Sequence, residues 1–290
     1  MSTVAGVSRS RTPYLLLLPG MAWLAVFFVI PLVSLLMQSL QTPLPGGLPG
    51  QFEQTFRFAN FVDVLSRTEF LGALGRSFFY ALLATVAALL IAYPLAYAIA
   101  LRAGRAKSIF LVLVVAPFFV SFVLRTIAWR QILGAEGPVV TTLQALHVVP
   151  ANFSIYPSSF AVIAGLTYNF LPFMTLPIYA SLDRMDTRLI EAAQDLYSSN
   201  WTAFRKVTLP ISMPGVVAGT LLTFIPASGD YINAQLLGNA NTTMVGNVVD
   251  ARFLVNSDYP TASVLSFTLM AIILAMVFVY VRRAGTEELV

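Results

Sequence analysis

The sequence predicts an all-α membrane protein with six transmembrane helices. Of its 290 residues, 58% are hydrophobic and only 10% charged, with a mean hydropathy of +0.79, whereas a soluble domain carries about 25% charged residues. The apolar residues gather into runs near the ~20 residues that cross a bilayer as a helix, not into the ~10-residue alternating segments of a barrel strand. Between the runs lie short basic or Pro/Gly-rich breaks, such as the TPLPGGLPG that follows the first run, and these end helices.

In chain order, residues 1–13 form a polar tail with Arg9 and Arg11, and the first span covers 14–40 with bends at Pro19 and Pro31. This run is too long for a cleaved signal peptide, and no clear small-residue cleavage site follows it. Residues 41–75 read as an outer loop with short interfacial helices near Phe61–Leu65 and Phe70–Leu74. A core of residues 76–283 then holds five spans: 76–101, 108–133 interrupted at Pro117, 157–182 broken by Pro172 and Pro177, a short 209–225, and 261–281. A polar island occupies 183–208, a second outer loop runs from Pro226 to Pro260, and 284–290 is a tail.

Alternating the spans puts eleven basic residues on the side of both termini and six on the other. The richer side is cytoplasmic by the positive-inside bias, so both termini and the island lie inside. The net charge of +4 is therefore a topological signal and does not point to nucleic acid. There is no cysteine, which excludes disulfides, iron–sulfur clusters and thiolate metal sites. One histidine, His147, in a loop makes neither a metal cluster nor a triad. No Gly-Lys pair occurs, so the chain has no phosphate-binding loop of the Gly-x-x-x-x-Gly-Lys type.

The island reads RLIEAAQDLYSSNWTAFRKVTLP from Arg188 to Pro210. Leu189, Ala193 and Leu196 recur at i, i+4 and i+7, the period of a short amphipathic helix. A second short helix is expected from an N-cap at Asn200 to about Val207, with Pro210 in the first turn of the next span. Glu191, Ala192, Ala193, Val207, Leu209 and Pro210 stand at the spacing of the EAA loop, so the chain resembles permease subunits of binding-protein-dependent ABC importers. Where that family has Gly, this sequence has Tyr197, and Tyr resists the positive φ that Gly adopts freely. Within the family, RTIAWRQILG at Arg125–Gly134 and FIPASGDYINAQLLGN at Phe224–Asn239 are similar to spermidine/putrescine importer permeases.

The resemblance implies the type I importer permease fold in a bacterial inner membrane. It implies four partners in protein: a second permease, two ATPase subunits and an extracytoplasmic substrate-binding protein. ATP and Mg would be bound by those ATPases and no cofactor by this chain, which is not itself an enzyme. Glu191, Ala192, Ala193, Asp195, Tyr197, Leu209 and Pro210 would couple to the ATPase. For the pathway, Phe122, Arg125 and Trp129 share one helical face. They either line it or form a snorkelling Arg with a Trp anchor. Tyr168 and Asn169 either line it or bridge helices. Asp230 and Tyr231 together suit an organic ammonium; the alternative is a local turn contact by Asp230. Other solutes served by the same fold, including a sugar, glycerol phosphate, iron or an anion, stay open. A stand-alone secondary transporter would show matching halves with midplane charges, and neither is found.

Overall fold

The computed structural model describes residues 12–150, 152–195 and 199–284. Among the described residues, five helices are long and apolar enough to cross a membrane, or six when one bent pair counts as a single span. The first span comprises α1 (Thr12–Leu24), a wide turn at Ala25–Val29, and α2 (Ile30–Ser39). Its apolar window is 0% buried within the chain. The wide turn closes with Ile30 N–H on Ala25 O, directly before Pro31. Proline has no N–H and crowds the carbonyl four residues back, so an extra residue in the turn relieves it.

The expected outer loop is structured. β1 (Gln41–Pro43) pairs antiparallel with β2 (Phe52–Gln54), and α3 (Ala59–Leu65) follows. Asn60 Nδ2 ties this unit to the first span by donating to Ser39 O at 3.0 Å and Gln41 O at 2.8 Å. The segment Phe70–Leu74, expected as a separate interfacial helix, belongs to α4 (Thr68–Leu101), which starts well before residue 76. Phe70 and Leu74 continue the helical stripe of the span and are buried in one cluster with Val64, Val245, Val264 and Leu265.

The third span departs most from expectation. α5 (Lys107–Val115) gives way to a tight turn at Ala116–Phe119, the backbone extends at Val120 and Ser121, and α6 (Phe122–Leu133) restarts. The stretches on either side of this break are bent by 96°. Pro117 sits in the break, where its missing N–H costs least. α7 (Pro138–Ala145) completes the excursion.

α8 (Ser159–Asp183) is the centre of the molecule. Pro172 and Pro177 lie inside it without breaking it, contrary to the sequence reading. α4 and α11 (Leu209–Ser228) pack along its two sides, and that burial outweighs the local loss of backbone hydrogen bonds. The close approach depends on small residues. Ala81, Ala84, Ala88, Ala92 and Ala96 form a buried stripe on α4. Gly215 and Gly219 of α11 face α8 so tightly that a Cβ would stand 2.5 Å from Pro177 O and 2.9 Å from Met174 O. This is how apolar helices associate where water gives them no reason to.

Between α8 and α11 lie α9 (Arg188–Asp195) and α10 (Asn200–Ala203). α10 passes through a wide turn at Phe204–Thr208 into α11, giving one continuous helix over Asn200–Ser228. The fifth span is therefore much longer than 209–225. The segment 226–260 is likewise no loop: α12 (Ile232–Leu237) and α13 (Val245–Asp250) pack back on the bundle before α14 (Tyr259–Ala284). Both helices are too short for periodicity to show them. Val245 N–H donates to Ser77 Oγ at 2.8 Å, fixing α13 to α4.

Candidate functional site

Between α8 and α11, Asp186 Oδ1 accepts from Arg188 N–H at 3.0 Å and starts α9. That helix presents Leu189, Glu191, Ala192 and Asp195 outward, while Ala193 is half-buried. Tyr197, with Leu196 and Ser198, lies outside the described residues. The second expected helix does not stand alone. Its cap is Ser199, not Asn200, with Ser199 Oγ accepting from Thr202 N–H at 3.2 Å. Leu209 is half-buried and Pro210 exposed. Leu209 N–H reaches back to Phe204 O, so the wide turn again precedes a proline and lets the helix run on through it. The turn is anchored by aromatics: Phe204 meets Tyr93 edge-on at 5.7 Å and Tyr97 at 6.3 Å. Tyr93 and Ser212 share a hydrogen bond of 2.7 Å. The α10–α11 joint is thus continuous with α11 and packed on α4. Lys107 and Asp183 pair between the start of α5 and the end of α8.

Deeper in the bundle, the α6–α8 seam gathers five of the sequence-predicted residues. Phe122 packs on Phe170 at 6.1 Å, and Trp129 lies edge-on to Tyr168 at 5.3 Å. The Arg125 guanidinium folds over the rings of Phe118 and Phe122, at 4.7 and 5.5 Å, into a 220 Å³ cavity with Tyr168 and Pro172. Its Nε and Nη1 are buried and meet no acceptor among the described residues. Asn169 donates through Nδ2 to Thr126 Oγ1 at 3.1 Å and to Asn233 Oδ1 at 3.0 Å.

Asp230 follows the end of α11 and is only 9% exposed. Its Oδ1 accepts from Asn233 N–H at 2.7 Å, the local turn contact that the sequence left open. Burial pushes its carboxyl up to about 6, against the opposing pull of its hydrogen bonds from Asn233. Among the described residues no cation pairs with it. Tyr231 does not share its space. That ring is 40% exposed and lines an apolar cavity of 670 Å³ with Phe253, Leu254 and Leu269. The expected carboxylate–aromatic pair is therefore split by the turn that opens α12, which sends neighbouring side chains to different sides. Sequence reasoning missed Thr126 and Asn233. Asn233 carried a signal, standing three residues after Asp230 at capping distance; Thr126, inside an apolar run, carried none.

The family model described as "Binding-protein-dependent transport system inner membrane component" matches residues 92–284. A spermidine/putrescine transport system permease protein PotB of Haemophilus influenzae is 38% identical over 200 residues, 69% of this chain and 70% of that protein. PotB of Escherichia coli strain K12 is 32% identical over 262 residues, 90% of this chain and 94% of that protein. Among solved structures, a bacterial ABC transporter involved in alginate import superposes with a TM-score of 0.73 at 17% identity, covering 95% of this chain and 96% of that one. At that identity the likeness shows the fold alone: the architecture is that of an importer permease.

Proposed function

The chain belongs to the family of binding-protein-dependent transport system inner membrane components, and we propose that it forms half of the translocation pathway of an ATP-driven polyamine importer. As a family member it is a permease subunit of an ABC importer. In the proposed assembly a second permease supplies the other half of the pathway, and two ATPase subunits engage α9 from the cytoplasm through Glu191, Ala192, Ala193 and Asp195. The α10–α11 joint at Leu209 and Pro210 completes that surface, and Tyr197 is assigned to it by the family resemblance alone. An extracytoplasmic binding protein delivers solute at the opposite face, and both termini lie in the cytoplasm of a bacterial inner membrane. ATP and Mg belong to the ATPases.

The polyamine reading rests on Asp230: a carboxylate almost withdrawn from solvent, with no cation beside it among the described residues. Burying such a charge is costly unless it is paired at some stage of the cycle. An organic ammonium supplies that pairing, and the relatives' names specify spermidine and putrescine. Phe122, Trp129 and Tyr168 lie in the α6–α8 seam, and in this reading their rings offer aromatic faces to an alkylammonium. Arg125, carrying the same sign as the solute, is read as a wall of the pathway and not as a ligand. The test is uptake of radiolabelled spermidine by the complex reconstituted with its ATPase and binding protein. Competition by excess putrescine is expected. Uptake unaffected by excess unlabelled spermidine or putrescine, with ATPase stimulated by a sugar or anion instead, would leave the permease and remove the polyamine.

A further inference from the structure

Thr126 of α6, Asn169 of α8 and Asn233 of α12 meet in one buried cluster, with exposures of 0%, 1% and 0%. Asn169 bridges the other two through its Nδ2, and Thr126 Oγ1 also donates to Phe122 O at 3.0 Å. Asn169 stands ten residues into α8, about 15 Å from its start at 1.5 Å per residue. The cluster is therefore at membrane depth, where the protein supplies all polar partners. As a stabilising device it is poor: Asn169 Oδ1 and Asn233 Nδ2 are buried without partners among the described residues, and an apolar trio of the same shape would leave no such atoms. Its value is directional. α12 has six residues, too few to hold itself as a helix. It lies directly on α8, where a Cβ on Gly165 would come within 2.7 Å of Asn233 Oδ1 and 2.4 Å of Leu237 Cδ1. Asn233 does two things at once. Its side-chain oxygen is held by Asn169, and its backbone N–H holds the Asp230 carboxyl. The turn bearing Asp230 is also backed by Gly246, where a Cβ would meet Gly229 O at 2.6 Å.

We propose that Thr126, Asn169 and Asn233 are positioning residues for the solute step: they set the register of α12 on α8 and so hold the Asp230 carboxyl where a solute ammonium meets it. This rests on the reading of Asp230 given above. The experiment uses the reconstituted complex and radiolabelled spermidine. Thr126→Val removes the hydroxyl that accepts from Asn169 and should raise the apparent KM about fivefold while the maximal rate stays within about twofold. Thr126→Ser, which keeps the hydroxyl, should retain the original KM. On an Asp230→Asn background the Val effect should vanish, because the cluster acts through that carboxyl. A Thr126→Val complex with unchanged KM, or one whose KM rises equally on the Asp230→Asn background, overturns the proposal. If the Val complex does not assemble, Thr126→Ala is read the same way, and failure of both to assemble makes the cluster a packing contact only, which also overturns it. If Asp230→Asn alone leaves KM unchanged, the assignment of Asp230 fails first, and that outcome is distinct from a failure of the cluster.

Discussion

Replacing Asp230 by Asn should lower solute affinity and raise stability together. The side chain keeps its shape and loses only its charge. At 9% exposure the carboxylate meets little water, so a hydrogen bond from an ammonium to it falls in the range for charged groups, about 1.5–3 kcal/mol. That corresponds to a loss of roughly 10- to 100-fold in apparent affinity. Stability moves the other way. The folded-state value of about 6 lies above the ordinary 3.8, so ionisation is disfavoured in the fold. The full cost is present above about pH 6, shrinks as pH falls through that value, and is gone below about 4. Asn removes this cost, a gain on the order of 1–3 kcal/mol at neutral pH. Two assays on the purified complex decide the matter: spermidine uptake against concentration, and thermal unfolding of this chain at pH 7.5 and pH 4. Uptake by the parent should also decline as pH drops through about 6, where spermidine stays cationic, while the Asn variant stays flat at its lower level. Unchanged apparent affinity, or an unfolding temperature that falls at pH 7.5, refutes the reasoning.

Glu191→Arg inverts an exposed charge on α9 and is expected to release the ATPase or to leave its hydrolysis uncoupled from uptake; co-purification with normal transport removes the docking assignment. Because the chain has no cysteine, Leu48→Cys and Asn241→Cys should react with an impermeant thiol reagent on intact cells and Thr187→Cys should not; the reverse pattern inverts the orientation. Gly215→Ala forces a Cβ to within 2.5 Å of Pro177 O, a backbone atom that cannot step aside, and should cost about 1–3 kcal/mol; an unchanged unfolding temperature shows that α8 and α11 separate more readily than their packing indicates.

The chain's composition and run lengths determined the class, because a bilayer demands about 20 apolar residues per helix wherever the chain crosses it. Fixed spacing made the island legible as well: Glu191 to Pro210 carry their signal in sequence order, and local order suffices to place α9 ahead of α11. What the sequence left undecided were matters settled by contacts between distant residues. Pro172 and Pro177 read as breaks, yet α8 runs through them because α4 and α11 hold it on both sides. Pro117, with a half-exposed face and no buried residue in α5, does break its helix. The same residue type thus gave opposite outcomes according to packing. Asp230 and Tyr231 are neighbours in sequence and part company in space, whereas Asn169 and Thr126, far along the chain from the Asp230–Asn233 turn, join it through Asn233. Periodicity reports which face of one helix is apolar; only the assembled bundle determines which polar groups on different helices meet, since that depends on how close Gly165, Gly215 and Gly219 let those helices come.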